Sequence, residues 1–370
     1  MIVINCGILL IVLSFIFRNR FKPQYGFLIV FVIMAFQSNI DGDFAGYMRE
    51  FDSGYQYPTA DKEPVWQFLY TTLRPIGSLA FNILLTLFEL TILLRLIKKY
   101  SDRKYIFIAA VLFYFTNSMM LIYMKAIRQT CAISFCLIPF LFDYTKIKRH
   151  RWIYIFVPAA IAYGIHNSSL IALLFLILLY LQVEHDVIGK FKIGQSGEFF
   201  LPIIATVAYF ILYLSKTTFL NTYMVELSQL MAQNDMRLSG YADMSEVHGE
   251  IGDVAMLIIY YDALIVFLGT WFIVKTNPIN RILGLMTILA SFLDMLFFGM
   301  GALMRVGYYF SIVNIAVLPS IAATIRYRFG KSFALLFVFI CISYAIKTTL
   351  PAFTSMDPNL FGNYKFIFFK

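Results

Sequence analysis

WIYIFVPAAIAYGIHNSSLIALLFLILLYLQV, residues 152–183, is apolar along both arms, interrupted in the middle by the four residues His166–Ser169, with Gln182 near its end. Two continuous apolar arms joined by a short polar tip read as a helical hairpin inside a membrane. An outer-membrane strand would instead alternate apolar and polar residues. The first arm, Trp152–Gly164, is only 13 residues, roughly 20 Å of helix at 1.5 Å per residue. The hydrocarbon layer is about 30 Å thick. A helix that starts at the inner surface therefore leaves His166 several ångströms beneath the outer one.

The same apolar pattern fills the chain. Of its 370 residues 60% are hydrophobic and 14% charged, with a mean hydropathy of +0.76. Soluble domains carry about a quarter charged residues, so no soluble domain of any size remains. The expected fold class is all-α: one integral, polytopic transmembrane bundle over 1–370. Apolar runs bounded by charges predict about twelve spans, at roughly 1–17, 24–40, 76–97, 105–124, 129–145, 152–165, 168–183, 199–215, 254–274, 282–300, 306–325 and 332–350. The first is read as a permanent span, because its basic residues Arg18, Arg20 and Lys22 follow the apolar run and no small-residue cleavage site is visible. The four cysteines lie in apolar runs without a CxxC, which points to packing and to neither a disulfide framework nor a metal site.

The formal charge of +9 is a topology signal. Counting alternate connections puts nineteen of the thirty Lys and Arg residues on one side, and that side is cytoplasmic by the positive-inside rule. Both termini then face out, and nucleic acid is not an expected partner. Two outer loops are long, at about 41–75 and 216–253. In the first, Pro64 suits the first position of a helix, and Val65, Phe68, Leu69, Thr72 and Leu73 share one face. In the second, Phe219, Leu220, Tyr223, Met224, Leu227, Leu230 and Met231 form one stripe. Both predict helices lying on the outer surface. For the second loop a lid packed on the bundle fits equally well.

Thr130–Tyr144 is also short, roughly 22 Å as helix, so Arg128 falls below the outer interface just as His166 does. A cation at that depth is tolerated in a cavity that holds water or an anion. Lys125 and Arg128 share a helix face if that turn is helical, and Arg305 ends the tenth span on the same side. Such a pocket suits an anion with several oxygens, phosphate or pyrophosphate, because the planar arginine fork pairs with them in bidentate fashion. The apolar-run acids Glu89, Asp262 and Asp294 should face the interior, served equally by ion pairs or by a proton path. His248, among the acids of 243–253, reads as part of a solvated acidic loop, and no metal site is expected.

Five stretches occur in a fixed order: DGDFAGYMREF (41–51), KEP (62–64), KAIRQTCAISF (125–135), AYGIHNSSLIAL (162–173) and MRVGYYFSIVNIAVLP (304–319). Together they resemble the EpsG-like family of bacterial exopolysaccharide and O-antigen polymerases, the Wzy-type proteins. The resemblance spans nearly the whole chain. It implies a GT-C-like transferase of the bacterial inner membrane with an outward-facing active site, acting on oligosaccharide repeat units linked to undecaprenyl pyrophosphate. The donor is already activated, so no cofactor is needed. Membrane lipid is an expected partner, with a flippase and a chain-length regulator as further ones.

Carried onto this chain, the resemblance implies the following roles. Arg128, helped by Lys125 and Arg305, binds the pyrophosphate. Asp43 is the favoured general base, with Asp41 and His166 as alternatives. His166 otherwise holds pyrophosphate or acceptor. Tyr47 and Trp66 are candidate stacking platforms for sugar rings, although interfacial anchoring suits Trp66 better. Glu63, Gln129, Asn167 and Tyr309 complete the substrate-binding set. A lipid-linked oligosaccharide flippase or other transporter is the rival that about twelve spans with buried acids would suit. An O-antigen ligase is the rival on chemistry, since only the acceptor would differ.

Overall fold

The computed structural model describes residues 2–16, 22–37, 43–53, 63–116, 119–190, 194–216, 253–297, 301–354 and 364. Asp41, His248 and the predicted stripe of the second outer loop lie outside the described residues. In chain order the helices are α1 (Ile2–Ile16), α2 (Pro23–Ala35), α3 (Asp43–Ser53), α4 (Pro64–Leu73), α5 (Ser78–Tyr100), α6 (Ala109–Phe115), α7 (Met119–Lys125), α8 (Ile127–Leu141), α9 (Arg151–Ile165), α10 (Leu173–His185), α11 (Val187–Lys190), α12 (Gln195–Ser215), α13 (Asp253–Lys275), α14 (Pro278–Leu296), α15 (Gly301–Ser311), α16 (Asn314–Phe329) and α17 (Lys331–Thr354).

Each of the twelve apolar segments carries helix, and the protein is a multi-pass membrane protein. The length of the helices bears out only part of the expected twelve crossings. Among the described residues, six helices are long and apolar enough to cross a membrane, or up to eight if two bent pairs each count once. Those pairs are Ile106–Phe115 with Met119–Lys125, and Arg305–Ser311 with Asn314–Phe329, each bent by more than 40°. Four other apolar helices, Val3–Ile16, Pro23–Ala35, Ile127–Leu141 and Arg151–Ile165, are shorter than 18 residues. Apolarity reports what surrounds a segment. It does not report whether the segment is straight, or whether it reaches both surfaces.

The chain divides into two compact units, Met1–Glu184 with Leu318–Lys370, and His185–Val317. In the first, α8 is the central helix. It packs between α5 and α9, and its Thr130, Ala132, Ile133, Ser134, Cys136 and Leu137 are all buried. The small residues among these, Thr130, Ala132, Ser134 and Cys136, let neighbouring helices approach closely in the apolar phase. At its C-terminal end, Lys99 Nζ donates to the carbonyls of Phe140 and Phe142, at 2.9 and 2.8 Å. The Tyr100 hydroxyl also donates to Phe140. These donors satisfy carbonyls that a helix end leaves unpaired. Glu89, on α5, is 1% exposed and has Thr130 of α8 as its neighbour.

In the second unit α12 packs on α13, α13 on α14, and α14 on α15. Tyr209, Ala263, Val266 and Met295 form the core of this unit. Asp262, 4% exposed, accepts a hydrogen bond from Ser291 at 3.3 Å. Neither Glu89 nor Asp262 has an ion pair among the described residues.

Candidate functional site

The site is built where three chain segments end or begin. α4 opens with Glu63–Pro64. Proline at the first helical position costs nothing, because that N–H would have no helical partner anyway. Glu63, the residue before it, is 7% exposed, and its carboxylate does not cap its own helix. It reaches instead to two other elements.

One is α8. Ala126, at φ −93° and ψ 54°, breaks the helix between Lys125 and Ile127. Arg128 therefore sits in the first turn of α8, and Lys125 belongs to the end of α7. The shared helix face expected for Lys125 and Arg128 is corrected accordingly: they flank a break. Arg128 Nη1 lies 2.9 Å from Glu63 Oε2, with the arginine side chain 21% exposed. Its guanidinium stands over the Tyr47 ring of α3, 5.6 Å from the centroid. Arg128 Nε is buried and has no hydrogen-bond partner among the described residues. Glu63 thus occupies one nitrogen and leaves the Nε–Nη2 edge, which is the geometry for side-on pairing with two oxygens of an anion.

The other is the tip of the 152–183 hairpin. α9 stops at Ile165, and His166 is extended, at φ −155° and ψ 117°. A 3-10 helix, Asn167–Ala172, follows. The Asn167 N–H donates to Glu63 Oε1 at 3.1 Å. His166 Nδ1 accepts from the Ser168 N–H at 3.3 Å and lies 2.7 Å from the Ser168 hydroxyl. A ring nitrogen that accepts from an amide carries no proton, so this arrangement suits the neutral imidazole with its proton on Nε2. The approach of α9 to α4 depends on Gly164. A Cβ there would stand 2.4 Å from Val65 Cγ2.

A carboxylate with one oxygen on Arg128 and the other on the residue after His166 brings the two buried-depth positions to a single group. Tyr47, Glu63, Arg128, His166 and Asn167 are brought together, with Lys125 across the Ala126 break. Gln129 is buried beside Arg128 on α8. Asp43 is placed as the first residue of α3. Arg305 and Tyr309 both lie on α15 of the second unit, half-buried and buried respectively. Among the described residues, no group of three or more His, Cys, Asp or Glu side chains is placed to hold a metal.

Two expectations are corrected here. Trp66 is 1% exposed and packs edge-on against Tyr47 and Phe81, at 5.7 and 5.9 Å. It therefore serves neither as an interfacial anchor nor as an open stacking platform. α4 buries Trp66 and Tyr70 and turns Val65 to α9, while Phe68 of the predicted stripe is 66% exposed. Sequence reading also passed over α3 as a helix, although Phe44, Tyr47 and Phe51 recur at helical spacing and Phe44 and Phe51 are buried. Ser168, the partner of His166, carried no signal beyond its polarity. At the far end of α4, burial and the nearby Glu50 carboxylate push the Tyr70 hydroxyl up to about 12.

A family model described as the EpsG family matches residues 25–366. No curated protein and no solved structure matches.

Proposed function

The chain belongs to the EpsG family, and from that membership and the Glu63–Arg128 cluster we propose that it polymerises oligosaccharide repeat units carried on undecaprenyl pyrophosphate at the outer face of the bacterial inner membrane. The growing chain is the donor. A hydroxyl of the next lipid-linked unit attacks its anomeric carbon, forming the new glycosidic bond. The bond from that carbon to the pyrophosphate oxygen breaks, and undecaprenyl pyrophosphate leaves with the electron pair. The acceptor's proton passes to a base, for which Asp43 is favoured and His166 is the alternative.

Negative charge grows on the leaving pyrophosphate as the bond breaks. The Nε–Nη2 edge of Arg128, whose buried Nε has no partner among the described residues, would meet it, with Lys125 beside the break adding positive potential. Glu63 touches no substrate in this scheme. It holds the guanidinium and the His166–Asn167 turn in register, so that little rearrangement is needed when charge develops. Tyr47 offers its ring to the guanidinium and steadies it further. The observation that carries the reading is the single buried carboxylate bonded at once to Arg128 and to the turn after His166.

A gel of surface polysaccharide from a deletion strain tests the reaction. A polymerase predicts that the ladder disappears while lipid capped with a single repeat unit remains. Absence of all capped lipid would identify a ligase or an exporter. At the site, Arg128→Ala is expected to lower turnover by about a hundredfold to a thousandfold, the range for removing one preorganised donor. Arg128→Lys should retain little, because a point charge does not reproduce the fork. Full turnover in the alanine variant would remove the pyrophosphate role.

A further inference from the structure

The strongest unassigned feature is a cleft at the other end of α4. Its volume is about 510 Å³, and it is lined by Phe51, Asp52, Tyr70, Thr71, Arg74, Pro75 and Gly77. Phe51 and Tyr70 form part of a rigid aromatic floor. Phe51 stacks on Phe81 at 4.5 Å and meets Tyr70 edge-on at 4.8 Å. Polar groups stand along the rim. Asp52 Oδ2 accepts from the Ser78 hydroxyl at 3.0 Å, and Oδ1 has no partner among the described residues. The Arg74 guanidinium has neither a hydrogen bond nor an ion pair among the described residues. Gly77, at φ 81°, turns the chain into α5 and leaves bare backbone as one wall.

A concave site with an apolar floor and a few converging polar groups is the usual form of a small-molecule pocket. The polar set here is specific in kind. One carboxylate oxygen accepts hydrogen bonds from hydroxyls, a planar fork donates to ring and hydroxyl oxygens, and the apolar carbon of the nearly buried Phe51 and Tyr70 closes the floor. A sugar residue presents all three complements, whereas an isolated phosphate would be repelled by Asp52. The position is informative as well. Glu63 and Arg74 flank the ten residues of α4, so the cleft lies roughly 16 Å from the Glu63–Arg128 cluster along the helix, at 1.5 Å per residue. That is a span of a few linked sugar rings.

We propose that the Asp52–Arg74 cleft is a saccharide subsite, which holds a sugar residue of the substrate several rings away from the bond being made. The inference rests on the polymerase reading of the Glu63–Arg128 cluster and names the part of the substrate that α4 measures out. It gives the helix a function as a ruler, with pyrophosphate chemistry at its first residue and glycan recognition at its last.

The test uses the full chain in lipid nanodiscs with two probes. One is a fluorescently end-labelled oligosaccharide cut from the host's own surface polysaccharide. The other is a short-chain polyprenyl pyrophosphate. Arg74→Ala and Asp52→Asn are each expected to weaken oligosaccharide binding about tenfold, and Thr71→Trp, which fills the cleft, should abolish it. All three should bind the polyprenyl pyrophosphate as the wild type does, which also reports that they fold. Should Arg74→Ala misfold, Arg74→Lys supplies the readout, with binding between wild type and Asp52→Asn.

Cleft variants that bind the oligosaccharide normally would overturn the proposal. So would a wild type that does not bind it, or cleft variants that lose only the pyrophosphate probe, which would make the cleft a phosphate or lipid-headgroup site. Arg128→Ala is expected to show the opposite pattern, losing the pyrophosphate and keeping the oligosaccharide. If Arg128→Ala keeps both, the polymerase reading fails at its own cluster while the cleft result stands separately.

Discussion

At Glu63 each carboxylate oxygen faces a donor, Arg128 Nη1 on one side and the Asn167 N–H on the other. An amide cannot replace it, because an amide has one accepting oxygen and one donating nitrogen. Glu63→Gln therefore leaves one donor facing another donor in a nearly closed site. The cost of one unmet buried group is about 1–3 kcal/mol. We expect at least a tenfold loss of turnover with a modest fall in thermal stability, measured on the purified protein. Wild-type turnover in Glu63→Gln would show that the clamp does not matter. Arg128 and His166 were legible from helix lengths alone, since two short apolar runs left both at the same depth. Their meeting at Glu63 was not legible. The carboxylate lies 65 residues from Arg128 and 104 from Asn167, and nothing local in KEP announces either partner. The Lys125–Arg128 spacing misled for the opposite reason: it looked helical, and the bend at Ala126 is a tertiary outcome.

The packing of α9 on α4 turns on a missing methyl group. Alanine in a helix is ordinarily about 1 kcal/mol better than glycine, so Gly164→Ala should stabilise an isolated helix. Here the new Cβ would meet Val65 at 2.4 Å, and the two helices must part. The expected result is lower turnover and a lower melting temperature, with both recovered in the double variant Gly164→Ala, Val65→Ala. Measured singly and together, the variants form a double-mutant cycle. Additive losses would deny the contact. The start of α4 was readable from Pro64, but the face it buries was not. Counting apolar residues selected Val65, which does meet α9 at Gly164, but also the exposed Phe68, and it missed Trp66 and Tyr70, which pack against α3 and α5 rings. Large aromatics with a polar edge can serve as core or as interface, and sequence spacing does not separate the two.

Across the molecule, the distribution of lysine and arginine makes a sidedness prediction that thiol labelling checks. Thr71 borders the cleft after α4, and Lys146 lies in the basic turn after α8, 83% exposed. In a background with the half-buried Cys6 replaced by serine, Thr71→Cys should react with a membrane-impermeant maleimide on intact spheroplasts. Lys146→Cys should react only after permeabilisation. The reverse pattern would invert the topology and put the Arg128 cluster on the wrong side for a lipid-linked glycan. Helical membrane architecture was readable at this scale because the solvent of a segment is written in its composition. Crossing number was not, because Ile127–Leu141 and Arg151–Ile165 are as apolar as full spans yet too short to be counted with them.

The fastening of α8 has a mechanical corollary. Lys99 and Tyr100 grip one extremity, while the other, beyond the Ala126 interruption, carries the guanidinium. A rod gripped at its base behaves as a cantilever. Over the 15 residues of this one, an inclination of about 5° displaces the tip by roughly 2 Å, given a rise of 1.5 Å per residue. A small tilt at the gripped end would therefore be felt most at Arg128, and the Glu63 ion pair at that tip is what restrains it.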